Sequence, residues 1–214
     1  MPASGRPAST LVLLVRHAVT PTTGEVLPGR APGLHLSDEG RRQAEAAARR
    51  LAALPRIAAV YSSPLERARE TAMAIARACG LAVRIERGLS ECDFGAWTGA
   101  SLRRLARKRE WTAVQRHPSG FRFPGGESFV EMQSRIADAV RGLVERHPGR
   151  AIVAVSHADP IKALLAHALG TPLDLFQRLA VAPASVSAVA FRRDGATVLT
   201  VNSLDGGLAA LAGR

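Results

Sequence analysis

Two histidines and two arginines of this 214-residue chain stand where they can act together on a phosphate. The apolar run Leu11–Val15 delivers Arg16-His17, and the apolar run Ala151–Val155 delivers Ser156-His157. Ile57–Tyr61 leads into Ser62-Ser63 and, one helical turn into the next helix, Arg67. One histidine after one strand is unremarkable; the convergence of three separated segments is what points to chemistry. Guanidinium groups bind the oxygens of a phosphate dianion through paired, charge-assisted hydrogen bonds. A neutral imidazole can attack phosphorus and form a covalent intermediate. Surrounding cations favour the neutral imidazole, because a second positive charge there is repelled. They also stabilise charge on the equatorial oxygens in the transition state. This chemistry requires no metal, and the sequence offers no Asp-rich constellation to hold one.

These residues need a sheet to converge on, and the hydrophobic pattern predicts one. Leu11–Val15, Ile57–Tyr61 and Ala151–Val155 read as buried strands, and Ala82–Ile85 as a short one. Between them, helices are predicted from Ser37-Asp38-Glu39 to about Leu54 and from a Ser63-Pro64-Leu65-Glu66 capping box to Cys79, stopped by Gly80. Further helices are predicted over Ser101 to about Gln115, Glu127 to about Arg146, and Pro160–Leu169 closed by Gly170. Ser185–Phe191 and Thr197–Val201 flank Arg-Asp-Gly and read as a hairpin. This alternation argues for an α/β fold with three α/β/α layers, a mostly parallel sheet and an antiparallel edge. In such sheets ligands bind beyond the carboxyl ends of the strands, where Arg16, His17 and His157 lie.

Composition sets the remaining bounds. Apolar residues make up 47% of the chain, enough for a sizeable core. No apolar stretch approaches the roughly 20 residues of a membrane span. Residues 1–9 read as a flexible tail without a secretion-signal core, and residues 10–214 as one domain. Cys79 and Cys92 are expected to be reduced thiols of a cytoplasmic protein. The net charge of +11 favours anionic partners. Its densest runs, Arg41, Arg42, Arg49 and Arg50, then Arg103, Arg104, Arg107, Lys108 and Arg109, read as solvated helix faces. No aromatic residues interleave with them, so a nucleic-acid partner is not expected.

The ordered motifs resemble those of the histidine phosphatase superfamily, the family of cofactor-dependent phosphoglycerate mutases and many small, often bacterial, phosphatases. They are Val15-Arg16-His17; Leu36-Ser37-Asp38-Glu39-Gly40 with Gln43-Ala44; Ser62-Ser63-Pro64-Leu65-Glu66-Arg67-Ala68 with Thr71-Ala72; Leu89-Ser90-Glu91 with Phe94-Gly95 and Trp97-Thr98-Gly99; Pro124-Gly125-Gly126-Glu127-Ser128; and Ser156-His157. The resemblance implies a phosphoglycerate mutase-like fold and hydrolysis of a small phosphorylated metabolite without a cofactor. It implies that His17 is the nucleophile and that Arg16, Arg67 and His157 bind the phosphoryl group. Glu91 is then the general acid that protonates the leaving oxygen and later the base that activates water, with the raised pKa that role demands. Thr20 can help line the pocket. Glu127 matches a family segment near the substrate, although stabilisation of a helix N-terminus explains it nearly as well.

The chain departs from the family pattern at several positions. Ala18 and Ala158 stand where the family usually has glycine, which restricts positive φ and predicts a slightly tighter pocket. Asp159 can orient an imidazole or cap the next helix, and the cap is the expectation. Cys92 is given no role. The segment 99–127 is expected to cover the site; its Trp111, Phe121 and Phe123 make either an apolar wall or a subdomain core. Arg30, in a Pro- and Gly-rich loop, is expected to reach a second anionic group on the substrate. Phosphoglycerate mutases carry a lysine at the position of Leu102 and an arginine pair in an insertion that this chain lacks. A phosphatase is therefore the first reading and a phosphomutase the second, with Arg103, Arg104 or Arg109 able to substitute. A non-catalytic phosphate binder is the alternative from another class. The sequence sets neither the substrate nor the oligomeric state.

Overall fold

The computed structural model describes residues 9–206 and Leu208, so all but the last residue of the expected tail lies outside the described residues. In chain order the elements are β1 (Thr10–Arg16), β2 (Val26–Leu27), α1 (Asp38–Ala52), β3 (Ile57–Ser62), α2 (Glu66–Cys79), β4 (Val83–Ile85) and β5 (Ala100–Ser101). There follow α3 (Leu102–Leu105), α4 (Arg109–Arg116), α5 (Phe129–Arg146), β6 (Ala151–Ser156), α6 (Ala158–Leu169), β7 (Val186–Arg192) and β8 (Gly195–Ser203), with short 3-10 turns between them. Six strands form one sheet in the order β4-β3-β6-β1-β7-β8. The first four run parallel, and the β7–β8 hairpin is antiparallel. The α/β/α expectation holds, with the antiparallel hairpin on one edge.

Alternation along each strand divides the core between the two faces. Leu13, Val15, Val60, Val153 and Val155 pack with α1 and α2. Val12, Leu14, Ala59, Ile152 and Ala154 pack with α5 and α6. With both faces covered, β1 and β6 are buried at all but one end residue each, which is why they read as unbroken apolar runs. Their pairing aligns Arg16 with Ser156 and sets both histidines just past one sheet edge. Among the described residues no helix is long and apolar enough to cross a membrane.

Four expectations about local structure are corrected. The Ser63 capping box does not form: α2 starts at Glu66 with Leu65 as its N-cap and no side-chain cap. The Ser63 hydroxyl is instead 2.8 Å from His157 Nε2. The helix predicted over 101–115 breaks into α3 and α4. Five crowded cations would repel one another at i, i+4 spacing in one continuous helix, and Lys108 lies at the break with its ammonium 5.5 Å from the Trp97 ring centre. Helix α5 begins at Phe129, not Glu127, because Ser128 and Glu131 form the capping box. Finally, neither Ala18 nor Ala158 has a positive φ, so replacing the usual glycines strains neither position. Arg41 and Arg42 of α1 lie on a solvated face and pair with Asp38 and Glu39 one turn away, whereas Arg50 is half-buried and donates to Ser203 at the end of β8 and to Asp205 and Gly206 beyond it.

The N-terminus of α1 grips the loop that follows His17. Ser37 N donates to the Val19 carbonyl at 3.1 Å, and Val19 N donates to Gln43 Oε1 at 3.2 Å. The approach is close because the third residue of α1 is glycine: a Cβ on Gly40 would stand 1.9 Å from the Val19 carbonyl oxygen. Gly40→Ala is therefore expected to cost roughly 1–3 kcal/mol through overpacking against backbone. Urea unfolding checks this, and an unchanged stability would contradict the tight docking.

Candidate active site

The ends of β1 and β6 and the start of α2 meet around His17. Its Nδ1 is 2.8 Å from the carbonyl oxygen of Ala18. A carbonyl only accepts, so Nδ1 carries the proton and Nε2 keeps its lone pair. Arg67 Nε donates to that Nε2 at 3.2 Å. Burial, with the Arg67 and Arg16 charges adding to it, depresses His17 to a pKa of about 3, so the ring is neutral at physiological pH. The His157 ring stands edge-on to it, with 5.1 Å between ring centres. Burial and the same arginines lower the His157 pKa as well.

The arginines are held by backbone, not by acids. Arg67 is fully buried, and its Nη2 donates to the Gly29 carbonyl at 2.8 Å. Arg16 Nη1 donates to the Val181 carbonyl at 2.7 Å. Three buried nitrogens in this constellation have no hydrogen-bond partner: Arg16 Nε, Arg67 Nη1 and His157 Nδ1. Leaving one such group unmade costs about 1–3 kcal/mol and more when it is charged. Three of them around one imidazole can be satisfied together by the oxygens of an anion.

Glu91 borders the same space. Its Oε1 accepts from Cys92 N at 2.9 Å, and its Oε2 lies 4.0 Å from His157 Nδ1. Burial first, then the charge of Asp159, pushes its pKa up to about 7 against the pull of Arg67 and Arg16. Arg16, His17 and Glu91 line a cavity of about 200 Å³ with Thr20, Thr23, the β2 strand, Phe94, Leu102 and Asp159. Thr20 lies on that wall. Asp159 is not a cap: His157 holds the N-cap position of α6 and Asp159 is its second residue, where the helix dipole favours a carboxylate that faces the cavity.

Arg30 and Glu127 are brought to the site but do not line this cavity. They stand behind Glu91. Arg30 Nε donates to the Glu91 carbonyl at 2.8 Å, and its Nη2 is 2.8 Å from Glu127 Oε2. Glu127 takes two hydrogen bonds from Arg135, at 2.7 and 2.9 Å, and one from Asp93 N at 3.0 Å. Arg135 in turn donates to the carbonyls of Gly88, Ser90 and Glu91. Ser156 Oγ donates to the Leu89 carbonyl at 2.7 Å. The loop carrying Glu91 is thereby fixed at four successive carbonyls. Arg135 was missed because nothing in the sequence marks one arginine among the polar residues of a long helix.

The apolar side chains of the 99–127 segment pack into a core cluster while most of its polar residues are exposed. Phe123 is buried, and Trp111 and Phe121 pack against the same cluster as Trp97, Phe129 and Phe176. Of this segment only Leu102 reaches the cavity wall. Arg103, Arg104 and Arg109 are exposed. Cys79 and Cys92 are free thiols, and burial raises the pKa of both. No group of three or more His, Cys, Asp or Glu side chains suited to a metal ion occurs among the described residues.

Residues 12–204 match the sequence profile of the histidine phosphatase superfamily (branch 1), and the chain belongs to that family. A bifunctional protein of Mycobacterium tuberculosis is 38% identical over 202 residues, which are 91% of this chain and 53% of that protein; the chain thus spans about half the length of that relative. Phosphoserine phosphatase 1 of Hydrogenobacter thermophilus is 32% identical over 89% of this chain and 91% of its own. Among solved structures, the mycobacterial glucosyl-3-phosphoglycerate phosphatase superposes with a TM-score of 0.82 at 27% identity, covering 91% of this chain and 99% of the other.

The buttress behind Glu91 yields a test. Glu127→Gln removes the charge that compensates Arg135 and Arg30, so the Glu91 loop loosens. Misplacing a catalytic group by about 1 Å costs roughly 10²-fold, and kcat is expected to fall by about 10- to 100-fold on that scale. Steady-state kinetics on p-nitrophenyl phosphate check this; an unchanged kcat would show that the network does not position Glu91.

Proposed function

We propose that this chain hydrolyses small phosphomonoesters through a phosphohistidine intermediate on His17. The observation that carries this reading is the set of three unpartnered buried nitrogens around an imidazole whose Nε2 is left unprotonated by the Nδ1 hydrogen bond. Arg16, Arg67 and His157 bind the phosphoryl oxygens. The Nε2 lone pair forms a bond to phosphorus as the bond to the ester oxygen breaks, and Glu91 gives its proton to the departing alkoxide. Glu91, now a carboxylate, takes a proton from water as the water oxygen bonds to phosphorus. The P–N bond breaks, its electron pair returns to Nε2, and inorganic phosphate leaves with Glu91 protonated again. The phosphatases among the relatives support hydrolysis. Leu102 in the cavity wall, and exposed Arg103, Arg104 and Arg109, leave no cation beyond the phosphoryl end to bind a carboxylate, which weighs against a phosphoglycerate mutase.

In excess EDTA, wild-type protein is expected to release p-nitrophenol from p-nitrophenyl phosphate, and His17→Ala protein to release none. Folded wild type without release would favour a strict mutase or a phosphate binder.

The pKa directions also set a pH profile. His17, depressed to about 3, is already neutral across the working range. Glu91 must be protonated to act as an acid, and with a pKa of about 7 it loses that proton as pH rises. The profile of kcat/KM should therefore fall on the alkaline side of about 7. Glu91→Gln should lower the rate by roughly 10²–10⁴-fold and remove that limb. A limb that persists in Glu91→Gln would assign the acid elsewhere.

A further inference from the structure

The mechanism uses the phosphoryl end of the cavity, and the chemistry of the other end is distinct. We propose, resting on the phosphatase reading, that this end selects small monoesters whose leaving alcohol carries an ammonium group over those carrying a carboxylate, with Asp159 as the specificity-determining side chain.

Size is the first constraint. A cavity of about 200 Å³ lies below the roughly 300–1,000 Å³ of pockets that take drug-sized ligands. Beyond Arg16, His17 and Glu91 its wall is apolar at Val26, Leu27, Phe94 and Leu102. The hydroxyls of Thr20 and Thr23 lie 3.0 Å apart, within hydrogen-bond distance of each other. Asp159 is the one charged side chain left on that wall among the described residues. Its side chain is 19% exposed, so water screens it little. The neighbouring cation, Lys162, stands 3.9 Å from it, donates to Gln177 Oε1 at 3.1 Å and does not line the cavity.

A carboxylate placed here would lose its hydration, meet the charge of Asp159 and find no cation. An ammonium would meet a carboxylate acceptor. Burial raises the pKa of both Glu91 and Asp159, and the charges of Lys162 and Arg16 pull Asp159 back towards its ionised form.

The test compares phosphoethanolamine with phosphoglycolate, two esters of similar length and opposite end charge. In wild type, kcat/KM for phosphoethanolamine should exceed that for phosphoglycolate by about tenfold or more, as a close, partly desolvated charge pair produces. In Asp159→Asn that ratio should fall towards one. Using the ratio cancels any general effect of the substitution on Glu91. A wild-type ratio of one or less, or a ratio unchanged in Asp159→Asn, would overturn the assignment. Binding of the two esters to His17→Ala protein, measured by calorimetry, tests the same preference without turnover. Tighter binding of phosphoethanolamine supports the proposal, and equal or tighter binding of phosphoglycolate overturns it. Absence of all turnover, with p-nitrophenyl phosphate included, would instead refute the phosphatase reading.

Discussion

A guanidinium buried to zero exposure with backbone carbonyl and imidazole partners, and no carboxylate on its hydrogen bonds, is the constraint around which this structure is organised. Arg67 would be too costly to bury in an ordinary core. It is held because α2 starts beneath the sheet edge, because the loop at Gly29 turns a carbonyl towards it, and because His17 offers a lone pair. Gly29 itself has a φ of +52°, and a side chain there would press on Thr98 and Phe94. The parallel pairing of β1 with β6 places Arg16 and His157 around the same point. The core packing thus holds two guanidinium groups side by side with no carboxylate hydrogen-bonded to either.

The same burial acts in opposite directions on the two groups that exchange bonds and protons. It strips His17 of its proton and makes Glu91 hold one. Both shifts follow from desolvation disfavouring the charged form, and the neighbouring charges then tune them apart. The resulting pair is a neutral imidazole beside a carboxyl that titrates near neutral pH, an arrangement suited to the proposed transfer to nitrogen with protonation of a leaving oxygen. Holding the acid in register falls to residues that never touch the cavity. Arg30, Arg135, Glu127 and Ser156 grip the loop around Glu91, and the aromatic cluster beneath it anchors Phe94 and Trp97.

The sheet was legible in the sequence because strands buried on both faces leave unbroken apolar runs, and β1, β3 and β6 do so. Arg16, His17, Arg67, Glu91 and His157 were legible because their motifs sit directly at the ends of those strands or in loops with marked glycines. Features that depend on partners remote in sequence were not. Ser63 has the spacing of a helix cap but serves His157. Asp159 has the look of a cap but faces the cavity. Arg30 reads as a free cation at a loop mouth, yet Glu127, close to one hundred residues away, claims it. The break between α3 and α4 combines cation crowding over 103–109 with the packing of Leu105 and Val114 into the aromatic cluster, and the second depends on remote partners.

The central claim is that the phosphoryl group passes through Nε2 of His17. Rapid mixing of enzyme with a phosphomonoester, quenching into alkali, and phosphorus NMR with peptide mass analysis tests it most directly. The account predicts one phosphoryl group on His17, bonded to Nε2, formed as fast as turnover. Label on Nδ1 or on His157, or steady hydrolysis with no phosphorylated histidine during turnover, would contradict it.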